Sequence, residues 1–484
     1  MGFAVLGLEL VGFRLYGPVY GYSSYVAGTL IGVILAALSL GYIVGGRLAD
    51  RVPRPPVLYR IIVITGLLLV AFAFLYRSLL NFFFLKFGMI TGLVIVTILL
   101  YGPPTALLGM TSPFIIRLVV EKDRVGTAAG TIYALSTVGS ILGSFVTPFV
   151  LVPEIGAHMT LIIMAAIVLV VGVIGLAGVR RRWVAAVLAL ALLPFSVPKE
   201  AEEVVLRVQS PYSDLQVERD DATHPPTYRL AVNDWAWYSK GVPDTFRTGS
   251  YFDYFLLGPA LVPVEEMAIL GMGAGTSIKQ FQHFFPAIHI DAVEIDPWVV
   301  KIAKDTRYFG MREGPKLTIY TEDARPYLRR CKKRYDLVEI DVFQGGPLIP
   351  FYVVTEEFFR LVSDRMSADG VAITNVIALA NDRLLISCIA KTMQQAFPSV
   401  YVLQVPAKSN FLVFAFKREM PPAEVRRRLR AVSTAGLVEL ASLAADGFTV
   451  PDPYPGTHVL TDDKADVARI TFNMVRRYAN AKFR

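Results

Sequence analysis

A bundle of membrane-spanning helices followed by a doubly wound α/β sheet is the fold class this sequence predicts, and three observations predict it. Of 484 residues, 54% are hydrophobic and only 18% charged, with a mean hydropathy of +0.50, a balance that is rare in a soluble chain of this length. The apolar residues are unevenly spread: long uncharged runs fill the stretch before Pro198, and charges become frequent only after Lys199. Beyond that boundary short β-type runs alternate with helix-type runs, and Gly271-Met272-Gly273-Ala274-Gly275 occupies one strand-to-helix turn.

Six runs read as membrane spans, against the roughly 20 residues a crossing helix needs: 2–16, 25–45, 57–76, 82–108, 126–152 and 158–178. A seventh, 183–197, is shorter and contains Pro194, which makes it borderline. The lipid bilayer is the partner these runs imply. Arg47, Arg51, Arg54 and Arg60 follow the second run, Arg117, Lys122 and Arg124 the fourth, and Arg180, Arg181 and Arg182 the sixth, while the connection 153–157 has no Lys or Arg. Positive charge marks the cytoplasmic side, so the even-numbered connections and the N-terminus are expected there. Ser136, Ser140 and Ser144, with Gly139 and Gly143, recur every four residues and let helices pack closely. Glu9 is by default a functional candidate because an ionisable group in a span is costly; pairing with Arg14 or a neighbouring helix is the other reading. Gly45-Gly46-Arg47-Leu48-Ala49-Asp50-Arg51 resembles the loop between the second and third helices of major facilitator transporters, and six spans match half of such a bundle. Transport does not follow, because the usual substrate cavity lies between two halves.

The net charge of +8 comes with no basic stripe interleaved with aromatics, so no nucleic acid is expected as a partner. Cys331 and Cys388 form no CxxC or His/Cys pattern, and no metal is expected. The chain opens directly into an apolar helix with no basic leader and no clear cleavage site, so a cleavable signal is not expected.

The predicted division is 1–198 for the helices, 199–262 for a β-rich cap and linker, and 263–484 for the doubly wound domain. The cap rests on strands 204–208, 215–219 and 228–232. The domain rests on strands 267–270, 288–293, 317–320, 336–340 and 370–375, with helices 276–285, 297–306 and 355–362, and a closing hairpin 401–405 with 410–416. Gly271, Asp296, Asp323 and Asp341 then fall at four successive strand ends, the edge where doubly wound sheets bind ligands. Gly271, Gly273 and Gly275 let a ligand lie against backbone. Glu294 or Asp296 can accept from both ribose hydroxyls, and Asp323 from an adenine amino group. Each acid alone reads equally well as a helix cap; the set does not. The loop is Gly-x-Gly-x-Gly, which favours an S-adenosylmethionine-type ligand over a dinucleotide, the latter being read by Gly-x-Gly-x-x-Gly.

With these residues in place the chain resembles the spermidine synthase (polyamine aminopropyltransferase) family, and most closely its membrane-fused members. The similarity is carried by residues 2–51, Val293-Glu294-Ile295-Asp296-Pro297, Asp341-Val342-Phe343-Gln344-Gly345 with Pro350, Thr355-Glu356-Glu357-Phe358-Phe359, Leu460-Thr461-Asp462-Asp463, Ser210-Pro211-Tyr212 and Asn233-Asp234. The resemblance implies a Rossmann-like methyltransferase/spermidine synthase domain that moves an aminopropyl group from decarboxylated S-adenosylmethionine to an amine. It implies Asp341 as the catalytic acid, Glu294 on the ribose, and Asp323 with Ala324 on the adenine. Tyr212, Asp234, Tyr251, Asp253 and Gln344 would line the acceptor side, and soluble relatives suggest a homo-oligomer.

Several family residues are replaced. Ala274 stands where the family has an aspartate facing the donor's amine, and Gln344 where it has a second aspartate. Ser213 replaces the cap glutamine, Trp235 a glycine, and the loop Val405-Pro406-Ala407-Lys408 lacks the substrate tyrosine. Losing two carboxylates removes favourable Coulomb interactions with a cationic amine. The readings left open are an aminopropyltransferase with an unusual acceptor, a methyltransferase using intact S-adenosylmethionine, and a non-catalytic nucleotide-sensing or transport module. If 183–197 spans, the soluble domain lies outside; if that run is interfacial, the domain is cytoplasmic, which donor supply favours.

Overall fold

The computed structural model describes residues 1–120, 125–177, 203–221, 226–233, 236–241, 246–379, 381–452 and 454–482. The chain divides into two units, Met1–Lys199 and Glu200–Arg484.

Among the described residues of the first unit, five helices are long and apolar enough to cross a membrane: Gly2–Tyr20, Ser24–Arg51, Pro55–Phe87, Met89–Val119 and Val125–Ala177. The last takes in both the fifth and the sixth expected spans. It runs as Val125–Val146, a π-helical turn Thr147–Leu151, and Val152–Ala177, and Gly156, at φ 82° and ψ 160°, breaks it. The borderline run 183–197 and the Arg180–Arg182 cluster lie outside the described residues. Helix ends fall where the backbone leaves the α region: Gly88, at φ 80°, follows Phe87 and donates its N–H to Phe84 O.

Small residues set the helix contacts, as close approach between apolar helices requires. A Cβ on Gly41 would lie 2.1 Å from the carbonyl oxygen of Ala106, and one on Gly143 would lie 2.6 Å from that of Phe3. The unit's centre is aromatic: Tyr101 packs edge-on against Phe72 (ring centroids 4.8 Å apart) and Tyr16 (5.8 Å). Arg14 lies over the Tyr22 ring.

The second unit holds two sheets. The smaller is an antiparallel meander of β1 (Val204–Gln209), β2 (Asp214–Asp220), β3 (Thr227–Val232) and β4 (Ala236–Lys240). The first three were expected; β4 was not. The larger contains β5 (Glu266–Leu270), β6 (His289–Glu294), β7 (Leu317–Thr321), β8 (Tyr335–Ile340), β9 (Met366–Ile377), β10 (Ser399–Gln404), β11 (Asn410–Phe416) and β12 (Phe448–Thr449). Their spatial order is β12-β10-β11-β9-β8-β5-β6-β7. The five strands from β9 to β7 are parallel, and the expected hairpin β10–β11 extends them antiparallel, with β12 added at the edge.

Strands leave β5 toward β6 on one side and β8 lies on the other, so the crevice at the carboxyl ends of β5 and β8 is the switch point of the sheet. Alternate residues bury both faces: Ile269 and Leu337 on one, Leu270 and Ile340 on the other.

Gly41→Leu should therefore separate two helices and lower the thermal midpoint of the detergent-solubilised chain, with a loss of about 1–3 kcal/mol or more. Gly28→Leu, where a Cβ meets nothing within 4 Å, should leave it unchanged. Equal effects of the two substitutions would refute this packing.

Candidate active site

At the end of β5 the chain turns into the helix Thr276–Phe284 through Gly271, Gly273 and Gly275, all at positive φ. Two of these glycines are also forced by close approach. A Cβ on Gly271 would lie 2.4 Å from the carbonyl oxygen of Asp341, and one on Gly273 2.4 Å from Ser239 Oγ. The N–H groups of this loop are spent inside the chain. Gly271 and Met272 donate to Val293 O at 2.9 and 3.2 Å, and Gly275 to Met272 O at 3.0 Å. Gly273 donates to Glu294 Oε2 at 3.2 Å, and Ala274 to Ser239 Oγ at 2.7 Å. A dinucleotide loop presents such groups to a pyrophosphate; this one has none of the five to offer.

Glu294 ends β6, partly buried beside the glycine loop. Burial pushes its carboxyl up to about 7, against the opposing pull of hydrogen bonds from backbone N–H groups that include Asp296 and Gly273. Asp296 is 3% exposed and engaged on both oxygens. One accepts from Trp298 N at 2.9 Å, capping the helix Pro297–Lys304, and the other accepts from Ser210 Oγ. Asp323 caps the helix Ala324–Arg330, accepting from Arg325 N at 2.8 Å, and its second oxygen accepts from the Tyr352 hydroxyl at 2.6 Å. Ala324 is buried directly after it.

Asp341 follows β8 at the switch point. Its N–H donates to Leu270 O at 2.9 Å. Its carboxylate accepts from Asn375 Nδ2 at 2.8 Å and from the Tyr251 hydroxyl at 3.0 Å. Asn375 is held in turn by Asn410, whose Nδ2 donates to Asn375 Oδ1 at 3.0 Å. Burial pushes the Asp341 carboxyl up to about 6, and the two hydrogen bonds work against that rise. Burial, then the Asp341 charge, holds the Tyr251 phenol well above its ordinary range, so it stays a donor. Such an arrangement can take a proton from an incoming group near neutral pH.

The remaining expected residues differ in placement. Gln344 lies in the loop after Asp341, and Asn233 Nδ2 donates to its carbonyl at 3.2 Å. Tyr212 is exposed in the turn between β1 and β2. Asp234 lies outside the described residues. Asp253 is 1% exposed and turned into its own loop, accepting from Thr248 N, Thr248 Oγ1, Gly249 N, Arg247 Nε and Gln280 Nε2. A carboxylate so saturated builds the loop that carries Tyr251.

Four residues of the site were not anticipated. Asn375 is a buried polar residue in the apolar run of β9, and that is its signal in the sequence. Tyr352 is linked to Asp323 only through the fold. Ser239 belongs to β4, whose alternation of exposed Trp237 and buried Ser239 was readable. Glu339, two residues before Asp341, is 1% exposed and accepts from Ser277 Oγ at 2.7 Å. Burial first, and the Asp341 charge as well, hold its carboxyl well above the ordinary range, with the Ser277 bond opposing. It ties β8 to the helix that follows the glycine loop.

Residues 260–427 match the model of the spermine/spermidine synthase domain. The C-terminal part of this chain carries a spermine/spermidine synthase domain. Among curated proteins, a probable polyamine aminopropyl transferase of Bifidobacterium longum is 30% identical over 246 residues, 47% of this chain and 54% of that protein. A polyamine aminopropyltransferase of Vibrio vulnificus is 28% identical over 43% of this chain and 66% of its own length. An eEF1A lysine and N-terminal methyltransferase of Mus musculus is 27% identical over 40% of this chain and 28% of its own length. The chain thus spans less than two thirds of each of these relatives. Both the small sheet β1–β4 and Asp462 lie outside the matched residues of the synthase domain.

Gly271→Ala should destabilise the synthase domain by about 1–3 kcal/mol or more, because it combines positive φ with a carbonyl in the way. Gly314→Ala, where a Cβ meets nothing within 4 Å, is the matched control. Thermal unfolding of both variants checks this, and an unchanged midpoint for Gly271→Ala would count against the loop geometry.

Proposed function

We propose that the chain is a membrane-held aminopropyltransferase that moves an aminopropyl group from decarboxylated S-adenosylmethionine to an amine. The observation that carries this reading is the carboxylate of Asp341, held by Tyr251 and Asn375 at the switch point beside the glycine loop and Glu294. The spent N–H groups of the loop support a donor without phosphates. The five long apolar helices support attachment to a lipid bilayer, and the donor's supply supports a cytoplasmic synthase domain.

In this reading Glu294 accepts from the ribose hydroxyls, since it stays partly exposed beside the glycine loop while Asp296 is 3% exposed. Asp323 keeps lone pairs for the adenine amino group, with Ala324 beneath the ring. The acceptor arrives as an ammonium and has no lone pair until it loses a proton to Asp341. The freed nitrogen then attacks the methylene beside the sulfonium in line with the breaking carbon–sulfur bond, and methylthioadenosine leaves. Holding the two reactants in that line supplies much of the rate. Gln344 and Tyr212 stand on the acceptor side.

A methyltransferase is the second reading, and one observation favours it. Ala274 is 1% exposed, with its N–H on Ser239, so the side chain that would greet the donor's amine is missing. Calorimetric titration of the detergent-solubilised chain with decarboxylated S-adenosylmethionine, intact S-adenosylmethionine and methylthioadenosine distinguishes the two. Aminopropyl transfer requires that the decarboxylated donor and methylthioadenosine bind. Binding of the intact donor alone would overturn it in favour of methyl transfer, and binding of none would overturn both.

Asp341→Asn should lower kcat by about 10²–10⁴-fold with donor affinity retained; activity near that of the wild type would remove Asp341 from its role. A carboxyl is ionised above its pKa, so the rate should rise with pH through about 6 as Asp341 loses its proton. Donor binding should weaken as pH falls through about 7 and Glu294 becomes neutral. A pH–rate profile and donor titrations at several pH values check both signs.

A further inference from the structure

Asp462 lies on the loop before the terminal helix Val467–Lys482, far in sequence from the strand ends. Leu460 anchors that loop: it is buried, its N–H donates to Thr392 Oγ1 at 2.9 Å, and its carbonyl accepts from Glu356 N at 2.8 Å. Asp462 N–H then donates to Glu357 Oε2 at 3.0 Å. The Asp462 carboxylate accepts a two-pronged pair from Arg325, Nη1 at 2.8 Å and Nη2 at 2.5 Å, and Thr355 Oγ1 at 2.7 Å. Arg325 Nη1 also donates to Tyr352 O at 3.1 Å.

These bonds close a ring. Asp323 accepts from Arg325 N and from the Tyr352 hydroxyl. Arg325 grips the Tyr352 carbonyl and Asp462, and Asp462 holds Thr355. The loop 460–462 therefore fastens the turn 323–325 to the far end of the segment that starts at Asp341. Arg325 is 9% exposed. The Asp462 side chain is 41% exposed, so the pair is half-buried, and removing the carboxylate would leave the largely desolvated guanidinium with the Tyr352 carbonyl as its remaining acceptor.

We propose that Asp462 and Arg325 are positioning residues for the nucleoside, acting through Asp323 and Tyr352 to hold the adenine side of the site in shape. The inference rests on the reading of Asp323 and Ala324 as the nucleoside side, which the aminopropyltransferase and methyltransferase readings share. It assigns a role in binding to a residue outside the matched synthase domain.

The test uses the full chain in detergent, with Asp462→Ala, Asp462→Asn and Arg325→Lys, and Asp463→Asn as control. Methylthioadenosine affinity, donor KM, acceptor KM and kcat are measured on folded protein. Asp462→Ala should raise the methylthioadenosine Kd and the donor KM about ten-fold or more, with acceptor KM unchanged and kcat at saturation changed by no more than about three-fold. Arg325→Lys should fall in the same direction, because an ammonium cannot make the two-pronged pair; Asp463→Asn should bind like the wild type. Should Asp462→Ala fail to fold, Asp462→Asn carries the test, since it keeps one oxygen for Thr355. Wild-type-like nucleoside affinity in the folded variants overturns the inference while leaving the functional reading intact. So does a uniform loss in which acceptor KM and kcat worsen alongside donor KM. If the wild type itself binds no nucleoside, the functional reading falls and this inference falls with it.

Discussion

The N–H of Asp341 donates to the carbonyl of Leu270 at 2.9 Å, and the next residue after Leu270 is a glycine whose missing Cβ would collide with the Asp341 carbonyl. Two neighbouring strand ends are thereby locked at a separation that only glycine tolerates. The consequence is that the glycine loop and the reactive carboxylate cannot drift independently. Four side chains of the site are referenced to this junction: Glu294 through its bond from Gly273, Tyr251 and Asn375 through the carboxylate itself, and Glu339 through Ser277. A parallel sheet makes such a junction possible because its carboxyl edges converge at one crevice.

The small sheet serves the same edge. Ser210 donates to Asp296, Ser239 accepts from Ala274, and Asn233 donates to Gln344. Three polar residues of the meander thus sit on three different strand-end loops of the larger sheet. Lys240 and Thr276 add a fourth tie, with backbone N–H and carbonyl both meeting the threonine hydroxyl. The altered residues that the sequence placed on the amine side, Ala274 and Gln344, lie under two of these contacts. Both contacts are made to backbone groups, the Ala274 N–H and the Gln344 carbonyl, so they fix the loops whatever side chains those positions carry.

Much of this was legible beforehand. Apolar runs long enough to cross a bilayer announce themselves by length and composition, and the expected runs fall on described helices, but the fourth, 82–108, straddles the break at Gly88 between Pro55–Phe87 and Met89–Val119, and the fifth and sixth are joined across Gly156. Strand ends carrying Gly271, Asp296, Asp323 and Asp341 were readable because β-branched and apolar runs stop where the acids begin. The helices Leu384–Met393, Pro422–Arg430, Val438–Gly447 and Val467–Lys482 were not read. Leu384–Met393 and Val438–Gly447 pack on the far strands, Pro422–Arg430 and Val467–Lys482 on neighbouring helices, and none of the four bears a motif to draw attention.

What the sequence determined by itself was local: which segments are apolar, where strands stop, and which residue types stand at the stops. What only tertiary structure decided is the duty of each acid. Glu294 and Asp296 are two residues apart and equivalent on paper, yet Asp296 is buried against a helix cap and a serine 86 positions away, while Glu294, which accepts from the N–H groups of Gly273 and Asp296, stays partly exposed beside the loop. Asp253 is spent on five donors of its own surroundings, and Asp462 acquires a partner, Arg325, 137 positions away. Hydrogen-bond saturation depends on which donors the fold brings within about 3 Å, and that distance is a property of packing across the chain, invisible to any window along it.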